Sequence, residues 1–129
     1  MSEANAELLR KIYMSRSLEE FGAALHPDAE FHQANVVPDT DAYYGRDQFV
    51  RGVQRWLDEW EMFRYIPEEV TDLGERAFMR VRLLGQAKAS GIKLDRMIFH
   101  LWEFKDGRPW RLEVFFDEEQ ALEAVRAVE

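Results

Sequence analysis

Apolar residues recur along this chain with two different periods, and the switch between them sets its organisation. Leu8, Leu9, Ile12 and Tyr13 fall at helical spacing, the pattern of an amphipathic helix with one buried face. Ser17-Leu18-Glu19-Glu20 has the form of a capping box and opens a short second helix. Leu18, Phe21 and Leu25 form the stripe of that helix, and Pro27 stops it. Asp28 to Val37, with Phe31, Val36 and Val37, reads as a strand, followed by a loop containing Pro38, Asp39 and Asp41. After Gly45, Phe49, Val53, Trp56, Leu57 and Trp60 share one face of a long helix, while Arg51, Arg55, Asp58 and Glu59 fall largely on the others.

Beyond that helix the period shortens to two. Phe63 to Leu73, Ala77 to Ala89, Ile92 to Phe104 and Trp110 to Phe116 read as strands. They are separated by Gly74, Ser90-Gly91 and the hairpin signal Lys105-Asp106-Gly107. Asp117, with Gln120 three residues on, caps a closing helix carrying Ala121, Leu122 and Val125. Ile98, His100, Trp102 and Phe104 share one face of their strand, and Met97, Phe99 and Leu101 share the other. On the last strand Trp110, Leu112, Val114 and Phe116 oppose Arg111, Glu113 and Phe115. A strand apolar on both faces needs both covered, and the modest helices suffice for one side only. The expectation is therefore a homodimer through the sheet face carrying Met97, Phe99, Leu101 and Phe115.

Length and composition narrow the class. With 129 residues the chain makes one domain, residues 1–129, with a core of its own. A hydrophobic fraction of 47% with 33% charged residues excludes a disordered or fibrous chain. No stretch approaches a membrane span, and the amino terminus lacks the pattern of a signal peptide, so a cytoplasmic protein with no membrane partner is expected. A net charge of −8 repels a phosphate backbone and argues against a nucleic-acid partner. The absence of cysteine removes disulfides, thiolate nucleophiles and zinc–sulfur sites. His26, His32 and His100 show no metal-ligand spacing, and there is neither a G-x-S-x-G elbow nor a glycine-rich phosphate loop. Neither a metal nor any other cofactor is expected.

The order of elements, with His26-Pro27-Asp28-Ala29-Glu30-Phe31-His32, Tyr44-Gly45-Arg46-Asp47, His100-Leu101-Trp102-Glu103-Phe104-Lys105-Asp106-Gly107 and the tail Asp117 to Ala124, resembles the SnoaL-like subgroup of the nuclear transport factor 2-like superfamily. The likeness spans nearly the whole chain. It implies an α+β cone, a curved and mostly antiparallel sheet around one long helix and several short ones, with a pocket at its mouth. The superfamily includes ketosteroid isomerase, polyketide cyclases, limonene epoxide hydrolase and scytalone dehydratase, so the fold alone names no reaction.

The isomerase pattern implies a carboxylate base on the first strand and a tyrosine plus a protonated acid at the enolate oxygen. Those positions fall on Gln33, Leu9 and His100, with Tyr13 one turn beyond Leu9. Two of the three parts are missing. The hydrolase and cyclase pattern implies an acid on the last strand where this chain has Val114. Glu113 faces the other way unless a bulge turns it inward.

His100 is the sharpest candidate for chemistry, either a core histidine satisfied by one neighbour or a pocket donor or general base with a pKa in the useful range. His32 is expected at an edge or interface, and His26 in solvent. Arg80 and Arg82 share a strand face and are expected to be solvated, paired with acids across strands, or holding an anionic ligand. Tyr13, Gln33, Trp56, Trp60, Trp102 and Val114 are the expected ligand-binding wall around His100, suited to a small, largely apolar organic molecule. Two functions follow: a small-molecule-binding protein with acid–base work by His100 of the isomerase, cyclase or dehydratase type, or a non-catalytic dimeric scaffold with its cavity filled by its own aromatic rings.

Overall fold

The computed structural model describes residues 2–33 and 42–127. Its elements are α1 (Ser2–Ser15), α2 (Leu18–Ala24), β1 (Glu30–Gln33), β2 (Tyr43–Tyr44), α3 (Arg46–Asp58), β3 (Trp60–Asp72), β4 (Arg76–Ala87), β5 (Lys93–Lys105), β6 (Arg108–Phe115) and α4 (Glu118–Ala127). One sheet runs β2-β1-β6-β5-β4-β3, antiparallel throughout except for the parallel pair β1–β6. The architecture is the expected α+β one, a curved, unclosed sheet with four helices. The residues expected as Val36, Val37 and the Pro38, Asp39 and Asp41 loop lie outside those described.

Local chemistry explains the element ends. The Ser17 side chain accepts from the Glu20 amide at 3.1 Å, starting α2, and Asp117 accepts from the Gln120 amide at 3.3 Å ahead of α4. Asp106 and Gly107 both have positive φ, 54° and 75°, which a tight two-residue hairpin between β5 and β6 requires.

Two expectations are corrected here. Trp60 does not continue the long helix. Helix α3 ends at Asp58, Glu59 caps it, and Trp60 opens β3. Its ring lies over Gly85 of β4, where only a residue without a Cβ leaves room. The outer face of the sheet is not left bare either. Phe99, Leu101 and Phe115 are buried with Phe78 beneath Ala121 of α4, while Met97, Leu122 and Val125 pack around them. A helix of two to three turns suffices because the apolar part of that face is small, so these residues form a second core and not an open interface.

The main core fills the inner face. Leu9, Leu25, Phe49, Met79, Val81, Ile98, Trp102, Leu112 and Val114 are buried there between the sheet and α1–α3. In β3 a register shift between Pro67 and Glu69 changes the parity of the strand. Val70 therefore packs on the same core as Phe63 and Tyr65.

Candidate functional site

The inner face is not completely filled. A cavity of about 450 Å³ opens between α1, α2, α3 and the sheet. The size suits a small organic ligand. Of the expected wall residues, Tyr13, Gln33, Trp56, His100, Trp102 and Val114 line it, and Trp60 does not. Trp60 instead packs with Trp56 and Phe63, ring centroids 5.3 and 5.4 Å away. Trp56, 43% exposed, stands at the rim.

Period-two geometry brings the central group together. His100 and Trp102 are i and i+2 on β5, and Val114 of β6 and Met79 of β4 flank His100 in register. Gln33 pairs with Val114 at the end of β1. Tyr13 arrives from the last turn of α1. The Trp102 indole Nε1–H donates to Tyr13 Oη at 2.9 Å, and Tyr13 Oη lies 2.6 Å from His100 Nδ1. Trp102 is held in turn by a parallel stack on Phe49, 6.1 Å between centroids.

Proton counting fixes the direction of this chain. Trp102 can only donate, so Tyr13 accepts from it and uses its own O–H toward Nδ1. Nδ1 then bears no proton and Nε2 carries it. The reverse tautomer would leave both the tyrosine O–H and the Nε2 lone pair without partners. Nε2 is closed to solvent and has no hydrogen-bond partner among the described residues. The ring of Tyr65, nearly perpendicular, packs 5.0 Å from the imidazole.

Electrostatics agree with a neutral ring. His100 is 1% exposed, its flanking side chains are apolar, and burial lowers its pKa to about 3. That corrects the expectation of a titration in the useful range. The imidazole is a weak base at neutral pH and a donor through Nε2. Burial likewise raises Tyr13 above the ordinary phenol range, opposed by the Trp102 hydrogen bond, and burial raises Tyr65. No Asp or Glu is among the described residues lining the cavity.

Other candidates resolve outside the cavity. Glu113 keeps regular register opposite Leu101 and meets Arg111 at 3.4 Å, so no bulge turns it inward. Arg80 pairs with Glu118 at 2.8 Å, and Arg82 makes two bonds to Asp95, which raise the arginine and lower the aspartate. His32 bonds Glu30 at 2.9 Å and packs on Tyr44 at the sheet edge, as expected. His26 is not solvated. Its side chain is 12% exposed, accepts from the Asp28 amide and contacts Asp106 at 3.3 Å, tying the first-strand entry to the β5–β6 hairpin. Among the described residues no group of three potential ligands converges on a metal position. Among the described residues no helix is long and apolar enough to cross a membrane.

Tyr65, Arg16 and Arg64, which also line the cavity, were missing from the expected wall. Tyr65 carried a signal, since it alternates with Phe63 on one face of β3. The arginines carried none, because charge on a strand or at a helix end ordinarily reads as solvated.

An α+β cone with an aromatic hollow at its mouth defines a nuclear transport factor 2-like fold. The family model described as a SnoaL-like domain matches residues 6–112, and the chain belongs to that family. Among solved structures it is similar to an NTF2-like protein of unknown function from Burkholderia pseudomallei, with 22% identity, TM-score 0.77, and 92% of this chain and 95% of that one covered. It is also similar to a putative SnoaL-like polyketide cyclase from Jannaschia, with 16% identity, TM-score 0.79, and 95% and 92% covered. TerC, co-crystallised with polyporic acid, is 19% identical with TM-score 0.76, and 95% and 98% are covered. No curated protein matches the sequence.

Proposed function

We propose that this chain binds a small, largely apolar organic molecule in the cavity, with an acceptor oxygen of the ligand taking a hydrogen bond from His100 Nε2–H. The observation that carries the reading is the buried, unpartnered Nε2 on a histidine lining an aromatic hollow. An unmade buried hydrogen bond costs ~1–3 kcal/mol, which a ligand oxygen would recover. Nε2 is closed to solvent, so a ligand reaches it by displacing part of the wall. Tyr65, edge-on to the imidazole, is the side chain placed to give way.

His100 acts in this reading as a neutral donor that polarises a carbonyl or hydroxyl oxygen. With its pKa lowered to about 3 it is poorly suited to removing a proton from carbon. The Trp102–Tyr13 relay positions it and fixes its tautomer. The open volume weighs against a scaffold whose cavity is filled by its own rings.

The test is a thermal-shift titration with 2-acetylnaphthalene, an uncharged bicycle with one carbonyl. The melting temperature should climb steadily with the logarithm of ligand concentration. The rise should shrink in His100→Phe and vanish in Val53→Trp, which fills the hollow. No rise in the parent protein at the ketone's solubility limit would reject the reading.

A further inference from the structure

Strand register sets three residues from three strands in one row on the inner face of the sheet. Gln33 of β1 pairs with Val114 of β6, and Val114 pairs with His100 of β5. Registered partners project to the same side of a sheet, and Val114 belongs to the inner core, so Gln33 and His100 project to that side too. Phe31, two residues before Gln33, gives the same parity. It is in register with Leu112 of the inner core and packs on Phe49 of α3, ring centroids 5.5 Å apart. All three members of the row line the cavity. The floor there is an apolar valine with a polar side chain on each flank.

The two flanks differ in chemistry. His100 offers one donor, Nε2–H, because the tyrosine bond occupies its other nitrogen. Gln33 is half-buried, and among the described residues no hydrogen bond reaches its amide. A primary amide carries two donors and an acceptor, so it can meet a hydroxyl in either role. Neighbouring strands lie about 4.8 Å apart, which sets the two backbones about 10 Å apart at this row. The sheet curves toward this face, and the side-chain tips stand closer than that.

We propose that Gln33 is a specificity-determining residue, and that the ligand is an uncharged molecule about as long as two fused rings, with an acceptor oxygen at His100 and a hydroxyl at Gln33. This rests on the reading of the cavity as a ligand site and adds the ligand's length and its second polar group. Val114, between the two contacts, supports the apolar middle of the ligand. No Asp or Glu lines the cavity among the described residues, so nothing there favours a cationic group in place of the hydroxyl.

The experiment compares 2-acetyl-6-hydroxynaphthalene with 2-acetylnaphthalene by calorimetric titration. The two share a ring system and a carbonyl, and they differ in one hydroxyl at the far end. In the parent protein the hydroxyl compound should bind about fivefold more tightly, the effect of one neutral hydrogen bond. In Gln33→Met, close in volume and without the amide, that ratio should fall to about one, while 2-acetylnaphthalene binds as it does to the parent. Gln33→Met has no hydrogen bond within the protein to lose, so it should melt with the parent, which separates loss of the contact from loss of the fold. If the ketone binds and the hydroxyl adds nothing, or if the preference survives in Gln33→Met, the role of Gln33 is overturned and the cavity reading stands. If neither compound binds the parent, both fall.

Discussion

Tyr13 and His100 are 87 positions apart in the chain and meet at 2.6 Å, with Trp102 Nε1–H donating to the same tyrosine oxygen at 2.9 Å. The three side chains form a relay with one direction, from an obligate donor through a hydroxyl to an imidazole nitrogen. Its free end is Nε2. The relay fastens α1 to the centre of the sheet and sets the tautomer that the cavity presents.

Removing the middle of that relay should be costly. Tyr13→Phe leaves the Trp102 indole N–H and His100 Nδ1 unpaired in a buried place, with almost no change in volume. Unfolding in urea should show a loss of about 2 kcal/mol. A loss near zero would mean that these hydrogen bonds are not held in solution.

The lowered pKa of His100 has a definite sign for stability. The unfolded chain binds a proton at this residue below its ordinary value of 6.5, whereas the folded chain resists it down to about 3. Between those values the unfolded state holds more protons, so stability falls as pH falls through that window and levels off below it. The slope is up to about 1.4 kcal/mol per pH unit. Because paired carboxylates add their own acid sensitivity, the difference between parent and His100→Gln is the quantity to measure. Urea midpoints at pH 7 and pH 5 should converge for the two proteins, the parent losing more.

Gly85 is required by Trp60. A methyl group there would stand 2.7 Å from Cζ3 of the indole, which Trp56 and Phe63 hold in place. Gly85→Ala should cost about 1–3 kcal/mol by overpacking and shift the tryptophan emission. Unchanged stability would mean that the indole has room to move away from β4.

The outer core depends on α4 in the same way. Ala121 is fully buried against the sheet, so Ala121→Asp places a carboxylate among Phe78, Phe99 and Phe115. A loss on the order of 3 kcal/mol or more is expected. With α4 lifted, the bared face should make the variant self-associate with rising concentration in light scattering. A variant as stable as the parent would show that α4 does not cover this face.

Much of this architecture was legible because most inner-face residues report their own period. Alternation placed His100 with Trp102 and set Val114 opposite Glu113, and helical spacing gave Tyr13 to the buried side of α1. Trp60 misled because Trp56 and Trp60, four apart, mimic one helix face, while the cap at Glu59 has no side-chain signature. Strand β2 has two residues, too few to alternate. The closing helix showed its apolar stripe, but a stripe does not say which face of a sheet it will cover, and the dimer interface was inferred from that gap. The hydrogen bonds that set the His100 tautomer join α1 to β5. No local pattern records such a meeting.

The central claim is a neutral His100 protonated on Nε2. Long-range proton–nitrogen correlation NMR of nitrogen-15-labelled protein, with the ring assigned by its loss in His100→Gln, reads this directly. The account predicts a pyridine-type Nδ1 and a pyrrole-type Nε2 that persist unchanged from pH 7 to pH 5. Two pyrrole-type nitrogens anywhere in that range, or a proton on Nδ1, would contradict it.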